Sequence, residues 1–198
     1  MIKTPWGYEI DADELPPLIT ADQLNELTGG AFADRSTDVM VAAVSAAVRS
    51  WCGWHIAPRL TCVARVDGAG RILRLPTMAL DEIASIEVDG HQVDPSEVER
   101  TTSGLVRAPR GKRWPDSWGG VTVTFSSGYD LDEVPDLAAI VAQIAANALV
   151  ATPGVQSERA GDVQISYNST AYGVSGGVAL LDRDKLLLAP HRLPPVPQ

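Results

Sequence analysis

The sequence predicts an α+β chain: a helical bundle of about three to four helices with a small antiparallel β-sheet inserted between the second and third long helical segments. Three observations predict it. Two helical patterns precede residue 53, five short β-rich segments separated by turn residues fill 59–127, and an alanine-rich helical pattern occupies 134–151. The division that follows is an N-terminal arm over 1–18, a main domain over 19–168, and a linker, C-terminal helix and proline-rich tail over 169–198.

Residues 1–18 mix Trp6, Tyr8, four acids and Pro16-Pro17, which reads as extended chain. "TADQLNEL" opens a helix over 20–28. Thr20 can cap the free amides while Gln23 reaches back, and Gly29-Gly30 is a stop signal. The second helix, 36–52, starts near Ser36 or Asp38 and gathers Val41, Val44, Val48 and Trp51 on one face. Arg49 interrupts that face and Gly53 ends the helix.

The sheet expected over 59–127 comprises "RLTCVARV", "RILRL", "IASIEVDG", "GLVRA" and "VTVTFSSG". Asp67-Gly68, Pro76, Asp89-Gly90, Pro109 and Gly119-Gly120 punctuate it, and "GAGR" and "VDGHQV" read as hairpin tips. The third helix, 134–151, carries Leu137, Ile140, Val141, Ile144 and Ala148 as its stripe. Its many alanines allow close packing on more than one neighbour. "SERAGDVQISYN" (157–168) reads as a charged loop and a strand, and "STAYGVSGG" (169–177) as a Gly/Ser-rich connection. A last helix lies within 178–192, before the tail "LPPVPQ". No internal repeat is present.

At 198 residues, folding would bury about 70% of the extended chain's surface, so a core needs no staples. The 25 acids against 16 bases give a formal net charge of −9, which disfavours a dedicated nucleic-acid binder. Two cysteines are too few for a disulfide scaffold. The N-terminus has no signal-peptide pattern and no run is long and apolar enough to cross a membrane. The expectation is a soluble, cytoplasmically made chain.

Cys52, His55, Cys62 and His91 could be imagined around zinc, but free cysteines on an apolar helix and in a strand more simply behave as small hydrophobes. No G-x-S-x-G elbow, P-loop or dinucleotide turn occurs, and His55, His91 and His191 read as surface residues. "RGKRWPDSW" supplies Arg110, Lys112, Arg113, Trp114 and Trp118. It reads either as an inter-strand loop with packed tryptophans or as a contact surface for protein or nucleic acid. In "FSSGYDLDEVP", Tyr129, Asp130, Asp132 and Glu133 could form an acid pair or a cation site. A structural joint explains them more cheaply. Gly128 permits a sharp turn, Tyr129 fills a corner, the acids favour a helix N-terminus, and Pro135 suits a first helical turn. No catalytic residue, metal or cofactor is expected.

Four stretches in order carry a resemblance: "ITADQLNELTG" leading to "VRSWCGWHI", then "LRLPTMALDEIASIEVDG", then "VTVTFSSGYDLDEVPDLAAIVAQIAANAL", then "SERAGDVQISYN" before a last helix. Over roughly 19–192 the chain resembles the head–tail connector (adaptor, or head-completion) proteins of long-tailed bacteriophages. The N-terminal arm, "RGKRWPDSW" and 169–177 depart from that pattern. The resemblance implies a non-enzymatic virion protein at the head–tail junction, assembled in the host cytoplasm as a self-associated ring, usually a dodecamer, under the portal. It implies contact with the portal protein and with the next tail-side connector (stopper), and DNA passing without sequence-specific binding. It also implies that the C-terminal region meets the portal, which makes Leu186, Leu187, Leu188, Arg192, Leu193, Pro194 and Pro195 the candidates. Arg110, Lys112, Arg113, Trp114 and Trp118 are candidates for a subunit or tail-side contact. On this reading, deleting 184–198 leaves the fold intact and weakens portal binding. The alternatives are a tail-side completion (stopper or terminator) protein, which would be a smaller, mostly β chain and against which the helix content at 36–52 and 134–151 argues, or a hydrolase using acids near Asp130.

Overall fold

A central long strand organises the chain. The computed structural model describes residues 1–33, 36–150, 157–160, 163–166 and 178–194. In chain order the elements are β1 (Ile2–Lys3), β2 (Tyr8–Ile10), α1 (Ala21–Leu27), α2 (Asp38–Cys52), β3 (Leu60–Gly70), β4 (Ile72–Arg74), β5 (Leu80–Val88) and β6 (His91–Val93). Then come β7 (Glu99–Arg100), β8 (Leu105–Arg107), β9 (Trp114–Ser127), α3 (Pro135–Val150), β10 (Ser157–Ala160), β11 (Val163–Ser166) and α4 (Asp182–Leu188).

The expected helical bundle with a small inserted sheet is not what forms. Nine strands build two antiparallel sheets, of order β1-β2-β3-β9-β5-β6 and β4-β8-β7, and β10–β11 make a separate antiparallel pair. The four helices are short beside this framework. The sheet outgrew the expectation for physical reasons. Residues 2–3 and 8–10, read as an extended arm, pair as a hairpin against β3, with Tyr8 opposite Ala64 and Ile10 opposite Cys62. Residues 67–70 and 114–118, read as turn and loop, extend β3 and β9, where Gly68 pairs with Ser117 and Gly70 with Trp114. Register shifts there admit the Gly and Pro residues that had argued against a strand.

The chain divides into two compact units. The first holds Met1–Pro16, Cys52–Glu133 and His191–Gln198; the second holds Pro17–Trp51 and Val134–Pro190. In the first, β9 is flanked by β3 and β5. Its Val121, Val123 and Phe125 point inward, alternating with half-exposed Thr122 and Thr124. Leu73, Val106 and Ala108 from the region of the smaller sheet join Cys62, Ala64, Ile83, Ile86 and Phe125 in one core. Asp89 and Gly90, both at positive φ, form the two-residue turn between β5 and β6.

In the second unit α3 rests on α1 and α4. Thr20 caps α1: its Oγ1 accepts from Gln23 N at 3.1 Å while Gln23 Oε1 accepts from Thr20 N at 2.8 Å. The helix ends in paired return bonds, Gly30 N to Asn25 O and Gly29 N to Glu26 O, with both glycines at positive φ. Leu18 N donates to Ser45 Oγ on α2 at 2.8 Å. The buried side of α3 is Leu137, Val141, Ala142, Ile144 and Ala145. No helix among the described residues is long and apolar enough to cross a membrane.

Candidate functional site

The turn after β9 is held from several directions. Gly128 sits at φ +112° and is buried. Its N–H donates to Ala79 O at 3.0 Å, and Tyr129 N donates to Ile56 O at 2.8 Å. Just before it, Ser127 O lies 3.0 Å from His55 Nε2. A carbonyl can only accept, so Nε2 carries a hydrogen, and in the neutral ring Nδ1 accepts from Tyr8 Oη at 2.9 Å. The Tyr8 hydroxyl also accepts from His55 N at 2.9 Å. Expected at the surface, His55 is fully buried. Trp54 stands edge-on to both His55 and Tyr129, at centroid distances of 5.7 and 5.8 Å.

Ile56, in the same corner, adopts φ +66°, and Ala57 N returns to His55 O at 2.9 Å. This is a γ-turn of the rare positive-φ kind, strained for a β-branched residue. The bonds from Tyr129 and Tyr8 on either side hold it there.

Two acids of the joint, Asp130 and Glu133, converge on a cation that the local sequence does not reveal. Arg59 Nη2 donates to Glu133 Oε2 at 2.9 Å and stands 3.6 Å from Asp130 Oδ2. Glu133 Oε2 also accepts from Asp130 N at 2.9 Å, closing the short turn 130–133. Glu133 therefore ties the joint together, beyond any effect on the positive end of α3. Pro135 opens α3, where its missing N–H would have had no helical partner. The Asp130 amide and then Arg59 hold the Glu133 carboxyl below its ordinary value. A glycosidase acid needs the opposite displacement, so this geometry suits an anchor.

The sign of that displacement fixes a pH response. A depressed carboxyl contributes stability that is present above its ordinary value of 4.5 and is lost as pH falls through the lower folded value. Glu133→Gln should unfold at a lower temperature than the wild type at pH 7. The gap should shrink toward zero as pH drops below that range. A constant gap in thermal melts from pH 7 to pH 3 would show that the carboxylate's charge plays no part.

The cysteines lie apart from any such chemistry. Burial pushes both Cys52 and Cys62 thiols up to about 12. A metal ligand must be thiolate, so these sites oppose that role.

The "RGKRWPDSW" candidates separate. Arg110, Lys112 and Arg113 are exposed, and Lys112 Nζ lies 3.6 Å from Glu97. Trp114 is buried and donates from Nε1 to Val106 O at 3.2 Å, so it is a core residue and not a contact. Trp118 is 91% exposed. Its neighbour Gly119 is pinned by Asp67 Oδ1 at 2.6 Å and Arg65 Nε at 2.7 Å. The indole thus stands on a fixed strand, not on a loop.

The C-terminal candidates separate too. Leu186 and Leu187 are 75% and 48% exposed, whereas Leu188 is fully buried and offers no surface to a partner. His191 O accepts from Trp54 Nε1 at 2.8 Å, and Leu193 N donates to Cys52 O at 2.9 Å. Arg192 and Leu193 therefore lie on a segment fastened to its own chain. Pro194 is exposed, and Pro195 lies outside the described residues.

No protein-family model and no curated protein matches the chain. Among the solved chains that share its fold are three at 16% identity. One, from the virion of a native gene transfer agent (GTA) particle, superposes with a TM-score of 0.58 over 96% of both chains. One from the neck of an empty GTA particle, computed with C6 symmetry, gives 0.55 over 96% of both. One from the neck of a native GTA particle, computed with C12 symmetry, gives 0.51 over 90% of this chain and 94% of that one.

Proposed function

We propose that this protein is a non-enzymatic structural component of the neck of a phage-like particle, at the head–tail junction. The observation that carries the reading is a fold shared along nearly the whole chain with neck and virion components of GTA particles. The ordered sequence stretches that resemble phage head–tail connectors support it independently. The finer role is that of an adaptor: a ring of this chain under the portal, extending the DNA channel and offering its far side to the next tail-side protein. The C12 and C6 symmetries of the neighbours are consistent with a ring of such subunits. Exposed Leu186 and Leu187 are the portal-side candidates, and Arg110, Lys112, Arg113 and Trp118 the subunit or tail-side candidates.

One observation favours a second position within the same neck. A tail-side completion protein would be mostly β, and the sheet here dominates the helices. The long helices α2 and α3 weigh against that position and the extent of the sheet weighs for it.

Electron microscopy of the purified protein mixed with portal rings tests the adaptor role. The expected result is extra ring density beneath the portal. Failure to bind portal, together with crosslinks in intact particles to tail proteins alone, would move the chain to the tail side. Absence from the particle altogether would overturn the neck reading.

A further inference from the structure

The chain is strongly acidic, yet its positive charge is concentrated. Segments 68–80 and 100–113 contain Arg71, Arg74, Arg100, Arg107, Arg110, Lys112 and Arg113 and not one Asp or Glu. Setting those seven aside leaves nine bases against 25 acids in the rest of the chain. The fold brings the two segments together. β4 pairs with β8, placing Ile72 opposite Arg107 and Arg74 opposite Leu105. Ala108 N donates to Arg71 O at 2.9 Å, and Lys112 N turns back to Pro109 O at 2.9 Å. Leu73 and Val106 face the core, so Ile72, Arg74 and Arg107 lie on the outer face of this sheet.

Part of the charge is used internally. Arg107 pairs with Glu99 at 2.7 Å, Lys112 with Glu97 at 3.6 Å, and Arg100 donates to Asp81 O. Arg71, Arg74, Arg110 and Arg113 are exposed and have no carboxylate within pairing distance among the described residues. Ile72, on β4 with Arg74, is 53% exposed. Four guanidinium groups unpaired among the described residues, on and next to β4 and on the segment that follows β8, together with exposed Ile72 make a surface suited to a carboxylate-bearing protein partner.

A surface of opposite sign lies at the β1–β2 end of the larger sheet. Glu9, Asp11, Asp13 and Glu14 fall within six residues that contain no base, and the last three are exposed. None of the four has an ion pair among the described residues. Asp11 N is fixed to Thr61 O at 2.8 Å, so this stretch is anchored to β3.

We propose that these two surfaces meet between copies: the β4–β8 basic face of one subunit binds the acidic 9–14 edge of the next. Two different patches of one chain that complement each other give a head-to-tail contact, which closes into a ring when the rotation allows. The inference rests on the neck-ring reading and deepens it by naming the subunit contact. A nucleic acid would also fit four free arginines; a second copy is preferred because the same chain carries a fixed, unpaired acidic edge at 9–14 that complements them locally.

A reciprocal charge swap tests this. Variant one carries Arg71→Glu, Arg74→Glu and Arg113→Glu; variant two carries Asp11→Lys, Asp13→Lys and Glu14→Lys. All six side chains are exposed, so both should melt as the wild type does. Self-association is followed by analytical ultracentrifugation at low ionic strength and by ring formation on portal. The wild type should associate, and more weakly as salt rises. Each variant alone should associate at least tenfold more weakly. An equimolar mixture should recover, because each reversed patch then meets its complement in alternation. Variants that assemble like the wild type, or a mixture that does not recover, would overturn the contact while leaving portal binding by the wild type, and so the neck reading, standing. A wild type with no salt-sensitive association in either assay would overturn it as well. DNA retarded by the wild type and released by variant one would assign the basic face to phosphates instead.

Discussion

Gly128→Ala should cost about 4 kcal/mol of folding stability. Two effects add. The backbone at φ +112° lies in a region that residues with a Cβ rarely enter. A Cβ built there would also stand 2.5 Å from Pro58 O and 2.8 Å from His55 Nε2. Neither neighbour can yield cheaply. Pro58 O is backbone, and His55 is fastened at both ring nitrogens and at its own amide. Moving the ring would disturb Tyr8, Ser127 and the strained turn at Ile56 together. Gly111→Ala is the control, because Gly111 has φ +79° but nothing within 4 Å of its would-be Cβ. That substitution should cost about 1 kcal/mol, from backbone strain alone. In a chain of this size the difference should appear as about 10 °C between the two melting temperatures. Equal melting temperatures would show that the corner around Gly128 is soft and that its close packing carries no stability.

That corner shows how far the sequence could be read. Gly128, the strand before it and Pro135 after it are local signals, and each acts locally in the structure. The capping box at Thr20 and the Asp89-Gly90 turn are legible for the same reason: spacing of a few residues fixes the hydrogen bonds. What was not legible depends on partners far along the chain. Arg59 lies 74 residues from Glu133, and His55 lies 47 from Tyr8. No periodicity announces either pair. The underestimated sheet has a similar cause. In β5 the inward residues are Leu80, Ile83 and Ile86, spaced by three, because register shifts interrupt the alternation. A spacing of three looks helical or irregular in sequence, so the strand pattern is visible only from residue 83. The isolated exposure of Trp118 beside buried Trp114 was likewise invisible, since both belong to one aromatic, basic run. Even the basic face needed the β4–β8 pairing to unite two segments that are separate in the chain.

Removal of residues 184–198 should unfold the protein or leave it insoluble, contrary to the expectation that this stretch is a detachable tail. It contains Leu188, which is fully buried, and deleting a leucine from such a site costs about 2–5 kcal/mol. It also contains His191, whose carbonyl accepts from the buried Trp54 indole. Stranding that N–H costs about 1–3 kcal/mol more. Cys52 O would lose its bond from Leu193 N as well. Together these come to about 3–8 kcal/mol, enough to remove the stability of a domain at the lower end of the ordinary range of about 5–15 kcal/mol. Loss of portal binding in that truncation would therefore report unfolding and say nothing about contact. A truncation after Pro194 removes none of these groups and should melt with the full chain. The informative variant is Leu186→Ser with Leu187→Ser, which changes two exposed side chains and spares Leu188. It should keep its melting temperature within about 2 °C, since exposed substitutions cost little. If α4 meets the portal, its affinity for portal rings should fall at least tenfold, because exposed leucines contribute to binding only by being covered. Unchanged affinity in a folded double variant would remove α4 from the portal contact and turn attention to the opposite, tail-facing assignment.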